Sequence, residues 1–166
     1  MKARYLVPAL LAAASVPMGA SALAQQVLSE KQISLGIAHD IAMVAVEQCR
    51  KDGYRVAATV VDRAGRIKAV LRDDGTGPHS LDTSRRKAYT AVTFRTSTGE
   101  FAERLQANPA AAALRDVENV IALRGGLPIK AGDEVIGAIG VGGAPGGDKD
   151  EACAQAGIQK VAEQLR

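Results

Sequence analysis

From Glu134 to Gly143 the chain reads EVIGAIGVGG, a stretch with no charge after its first residue and composed almost wholly of β-branched and small side chains. Such a run predicts a buried central strand. Gly137 and Gly140 within it remove side chains where a helix or a ligand comes close to a sheet. The rest of the core has to be made of Ala, Val, Ile and Leu, because the chain beyond residue 24 holds only Tyr54, Tyr89, Phe94 and Phe101 as aromatics. Small side chains favour close helix-to-sheet packing, and they leave apolar surface for a second copy to cover.

The remaining elements are expected around this strand. Ser29-Glu30-Lys31-Gln32 matches a capping box, and Ile33, Ile37, Ile41 and Val44 recur at helical spacing, predicting a helix over 30–50 that stops before Gly53. His39 and Met43, four apart on that helix, have the spacing of a haem-ligating pair. They read more simply as a partly exposed histidine beside a core methionine. Residues 54–61 and 66–72 form a β-hairpin around Asp62-Arg63-Ala64-Gly65. A second capping box at Ser97–Glu100 opens a short helix, residues 117–123 read as a strand, and Leu127–Lys130 is a further extended piece. Gly142 to Gly147 is a flexible loop, and Asp148 caps a last helix through Leu165.

The densest chemistry lies in DDGTGPHSLDTSRRKAYTAVTFR, from Asp73 to Arg95. Gly75, Gly77 and Pro78 break the preceding strand, and Ser80 or Asp82 can cap a helix with His79 at its mouth. Thr83, Arg86, Lys87, Thr90 and Phe94 share one face of that helix. That face suits a pocket wall receiving a carboxylate, with the imidazole as base, donor or metal ligand; it also suits a solvated surface. Asp73, Asp74 and His79 can form a small metal site, or the acids can be turn formers.

At the N-terminus Lys2 and Arg4 precede an apolar run over 5–16 and the small-residue pattern Ala22-Leu23-Ala24, which predicts a secretory signal peptide over residues 1–24, cleaved after Ala24. Residues 25–166 then form one domain, exported to a periplasm or beyond, with no stable membrane insertion. Cleavage removes two of the 21 basic residues, so part of the formal charge of +3 belongs to the leader. With no basic block and few aromatics, nucleic acid is excluded as a partner. Cys49 and Cys153 are either one disulfide between neighbouring helices or two buried thiols. The glycine loop lacks the spacing of a P-loop or a dinucleotide fingerprint, and Asp148 and Asp150 would repel phosphate. There is no G-x-S-x-G elbow and no C-x-x-C-H attachment site for covalent haem.

Taken together, VVDRAG (60–65), the Asp73–Ala91 region with SRRKAYTA, GGLPI (125–129) and VIGAIGVGGAP followed by DKDEACAQAG (135–157) resemble the GlcG/HbpS-like family over nearly all of residues 25–166. That family spans haem-binding proteins, glycolate-operon proteins and PduO C-terminal domains. The resemblance implies an α/β (α+β), profilin-like single domain, with an antiparallel sheet of about five strands flanked by helices. It also implies a homo-oligomer, a tetramer or octamer, and noncovalent binding of haem or a corrinoid. On the matching motifs it implies Lys87, Thr90, Gly125, Gly126, Gly140 and Gly142 as pocket residues. The chemistry of the site adds His79 as axial ligand, with Thr83 beside it and Arg85, Arg86 or Lys87 opposite propionates.

Three readings follow: an exported tetrapyrrole-binding protein for sensing, storage or protection; a small-molecule enzyme with His79 as general base and Arg86 or Lys87 anchoring a carboxylate substrate; and a structural oligomer without ligand. The scarcity of aromatic pocket walls counts against the first.

Overall fold

In a computed structural model, residues 27–166 are described; the expected leader lies outside them. The element order is α1 (Leu35–Lys51), β1 (Ala57–Asp62), β2 (Ile67–Arg72), α2 (His79–Phe94), α3 (Thr98–Ala107), a 3-10 helix (Pro109–Asp116), β3 (Gly126–Ala131), β4 (Glu134–Gly142), α4 (Gly147–Lys160) and a 3-10 turn (Ala162–Leu165). The four strands form one antiparallel sheet ordered β2-β1-β4-β3. This is the expected α+β class.

The sheet is the middle of three layers, and strand alternation sorts its side chains. Ala58, Val60, Ile139 and Val141 face α1 and α4 with Ile41, Ala45, Cys49 and Ala154. Val61 and Ala138 face Ala88, Ala91 and Val92 of α2. On that second face a Cβ at Gly140 would stand 2.1 Å from the Ser84 carbonyl oxygen, and one at Gly126 would stand 2.5 Å from the Lys87 carbonyl oxygen, so the α2 backbone lies directly on the sheet. α1 and α4 cross as closely at Gly157, and the Cys49–Cys153 disulfide joins them with a Cα separation of 5.5 Å.

Several local expectations need correction. α1 starts at Leu35, capped by Ser34, and the Ser29 box does not form. Ile33, 1 % exposed, is drawn into the core ahead of the helix, which moves the cap past it. Met43 is 37 % exposed and is not a core residue. α2 begins at His79 behind Pro78, without a side-chain cap from Ser80 or Asp82. Gly146, not Asp148, caps α4, whose regular part ends at Lys160. The sheet has four strands rather than five because 117–123 is not a strand. There Val120 packs on Phe101 and Leu105. Two backbone groups of this segment are met by α2 side chains, with Arg86 Nη2 donating to the Val120 oxygen at 2.6 Å and Ile121 N donating to Thr90 Oγ1 at 2.9 Å, while Val120 N donates to the Val117 carbonyl at 3.0 Å. With those partners it needs no ladder.

Behind the hairpin, Asp73 is buried and accepts from Arg50 at 2.6 Å and from Arg55 at 3.2 Å, so it serves an ion-pair cluster rather than a metal. No group of three or more ligating side chains forms a metal site among the described residues. The Arg50 hydrogen bond outweighs burial and lowers the Asp73 carboxyl from 3.8 to about 2. A carboxyl depressed on folding contributes stability that is complete above its unfolded value and lost as pH falls through the folded one. Urea midpoints should therefore fall between pH 4 and 2 in the wild type, and this part of the decline should be absent in Asp73→Asn, which should be less stable at pH 7. An unchanged pH profile in Asp73→Asn would contradict the assignment.

Candidate functional site

At the end of β4 the chain turns through Gly143–Gly146 into α4, and the first turn of α2 lies alongside. Between these two helix starts is an open cleft of about 560 Å³, lined by His79, Thr83, Lys87, Leu123, Arg124, the Gly143–Gly147 loop, Asp148 and Asp150. His79 is an exposed rim residue, and Thr83 Oγ1 donates back to its carbonyl at 2.9 Å.

The floor is a buried ion pair. Lys87 Nζ donates to Asp150 Oδ2 at 2.7 Å and to the Val141 carbonyl at 2.8 Å, and the side chains are 3 % and 4 % exposed. Ala144 N donates to the other Asp150 oxygen at 3.1 Å, which fixes the carboxylate plane. Burial pushes the Asp150 carboxyl above its ordinary range, and the Lys87 charge pulls it back. Gly125, at φ +117°, covers the pair: a Cβ there would be 2.7 Å from Asp150 Cβ and 2.9 Å from Lys87 Nζ. Arg124 at the mouth pairs with Glu103 at 2.9 Å, and beside Gly143 the buried Ser80 hydroxyl has no hydrogen-bond partner among the described residues.

Of the residues expected from the sequence, the fold brings His79, Thr83 and Lys87 together in the cleft, with Gly142 at its edge ahead of the loop. Gly125 lies over the ion pair, and Gly126 and Gly140 lie under the α2 backbone. Arg86 and Thr90 turn away, toward residues 120 and 121. Asp150, Asp148 and Arg124 line the cleft without having been anticipated. A signal for Asp150 was present: Lys87 shares its helix with Ala88 and Ala91, and a lysine on such a face needs a buried counter-charge.

Comparison with known proteins bears on the family and the fold. The model of the family described as "Haem degrading protein HbpS-like" matches residues 33–159. The chain belongs to this HbpS-like family. A Citrobacter freundii protein, the uncharacterized 15.0 kDa protein of the dhaT-dhaS intergenic region, is 31 % identical over 113 residues, 67 % of this chain and 80 % of the relative. The crystal structure of HbpS superposes with a TM-score of 0.78 at 40 % identity, over 82 % of this chain and 94 % of that one. A PduOC:heme complex superposes with a TM-score of 0.70 at 23 % identity, over 78 % and 94 %, a likeness of fold.

A buried pair loses more when one partner is removed than when both are replaced by apolar groups. Lys87→Met should cost about 3–5 kcal/mol in urea unfolding, and adding Asp150→Leu should recover much of it. Additive losses in the double variant would show that the two groups are not coupled.

Proposed function

We propose that this chain binds haem or a related tetrapyrrole noncovalently, in the cleft beside His79. The observation that carries the reading is an accessible imidazole on a cleft that also holds a cation and an apolar wall, in a chain of a family described by its haem chemistry. His79 offers the nitrogen for iron, Arg124 a charge for a propionate, and Leu123, Ala144 and Pro145 apolar contact with the ring. The cleft volume lies within the ordinary range for ligand sites, roughly 300–1,000 Å³. Bound haem supplies a redox-active iron and a strong visible absorption. Lys87 and Asp150 keep the floor polar and fixed in shape, and Gly143–Gly147 lets a flat ligand lie against backbone. The heme named in the PduOC complex supports the same ligand class, and a corrinoid remains within it.

One observation favours a different seat for the same ligand. Between α1 and β2 lies a groove of about 460 Å³, lined by Leu35, Gly36, His39, Lys68, Ala69, Val70 and Leu71. Its walls are more apolar than those of the His79 cleft, and it also carries an imidazole and a cation.

The leader motif supports export to the periplasm or beyond, and with it a role in sensing, storing or shielding haem outside the cytoplasm; no helix of the described residues is long and apolar enough to cross a membrane. Self-assembly into a tetramer or octamer is supported by Ile67 and Val70 on edge strand β2, with Leu35 and Leu81 nearby, all at least 40 % exposed. Light scattering that shows only monomer would remove that part.

Haemin titration of the protein lacking residues 1–24 tests the function. A saturable, stoichiometric Soret shift is expected, and His79→Ala should weaken it about a hundredfold, roughly 2.8 kcal/mol, while His39→Ala leaves it unchanged. Loss in His39→Ala alone would move the seat to the α1–β2 groove, and the absence of any saturable shift would overturn tetrapyrrole binding.

A further inference from the structure

We propose that Lys87 is a carbonyl-capturing amine, which takes a small unhindered aldehyde from the cleft as an imine, with Asp150 as the proton carrier. This does not rest on the haem reading. A role in holding α2, β4 and α4 together does not by itself account for the pair, since apolar side chains of similar volume would do that without desolvating two charges.

The geometry is that of a nucleophile beside a base. Lys87 is 3 % exposed overall yet lines the cleft. An ammonium has three N–H groups. Two are met, by Val141 and Asp150, and the third has no partner among the described residues. Gly125 lies over Nζ where any side chain would collide with it. Asp150 Oδ1 is held by Ala144 N, which leaves Oδ2, 2.7 Å from Nζ, to exchange the proton. Burial already pushes this carboxyl upward, in the direction a proton acceptor needs. The formal charges lining the cleft cancel, Lys87 and Arg124 against Asp148 and Asp150, so an uncharged aldehyde enters without a charge to neutralise.

The step balances within the pair. Asp150 Oδ2 takes a proton from Nζ, and the freed lone pair forms the C–N bond as the carbonyl π electrons move to oxygen. Asp150 passes its proton to that oxygen and takes another from nitrogen, giving the carbinolamine. It then protonates the hydroxyl, which leaves as water while the nitrogen lone pair forms C=N. The sum is ammonium and aldehyde giving protonated imine and water, with Asp150 again ionised.

The test is a wild-type experiment. The protein lacking residues 1–24 is treated with limiting propionaldehyde and cyanoborohydride, which reduces a protonated imine to a stable secondary amine, and the alkylated lysines are located by peptide mapping. Alkylation should concentrate on Lys87 ahead of the exposed Lys31, Lys51, Lys130 and Lys160. Asp150→Asn should slow it about a hundredfold at Lys87 and leave the exposed lysines unaffected. A label spread over the exposed lysines with Lys87 unmodified would overturn the proposal, a result that the wild-type map delivers even if the variant does not fold. Wild-type labelling rates at Lys87 in a folded Asp150→Asn protein would overturn the role of Asp150.

Discussion

The Lys87–Asp150 ion pair is the contact on which the site end of this domain depends. It joins the middle of α2 to the first turn of α4, and through the Val141 carbonyl it joins both to the end of β4. Two charges so deeply buried are costly unless further hydrogen bonds support them, and three of the surrounding backbone features accommodate the pair. Ala144 N holds the second Asp150 oxygen, the Val141 carbonyl takes a second Lys87 proton, and Gly125 closes over the pair without a side chain. The loop from Gly143 to Gly146 therefore has its conformation set from below, which makes the floor of the cleft rigid while its rim stays open.

The opposite face carries a different kind of restraint. α1 and α4 are held by a disulfide and by close backbone contact at Gly157, and α1 is tied to the hairpin by the Arg50–Asp73 pair. α4 is thus pinned at its N-terminal end by an ion pair and in its middle by a covalent bond. Both pins bear on the same wall of the cleft. Edge strand β3 carries Pro128, which blunts it, whereas β2, although its pairing with β1 skips Lys68, presents apolar side chains on an open edge. Of the two edges, β2 is the one suited to further association.

Where a local signal was decisive, sequence and structure coincide. EVIGAIGVGG forms one of the two interior strands, Asp62 and Gly65 turn the hairpin, and Ser97 with Glu100 forms its capping box. The divergences arise where tertiary partners replaced local ones. Residues 117–123 have strand-like composition, but Arg86 and Thr90 supply two of their hydrogen bonds from another element. The same fact explains why Arg86 and Thr90, on the expected helix face, do not reach the cleft. Ser29 has the better capping sequence, yet burial of Ile33 selects Ser34. From the sequence Asp150 reads only as an acid that would repel phosphate, because Lys87 calls for a counter-charge without naming it and the partner lies 63 residues away.

The proposed ligand enters between the starts of α2 and α4. The most direct measurement is amide chemical-shift mapping of the isotopically labelled protein with a diamagnetic gallium protoporphyrin. Perturbations are expected at His79, Thr83, Leu123, Arg124, Gly143, Ala144 and Gly146–Asp148, with residues 35–39 and 68–71 unmoved. Perturbations confined to those latter two segments would contradict that placement and put the ligand in the α1–β2 groove instead.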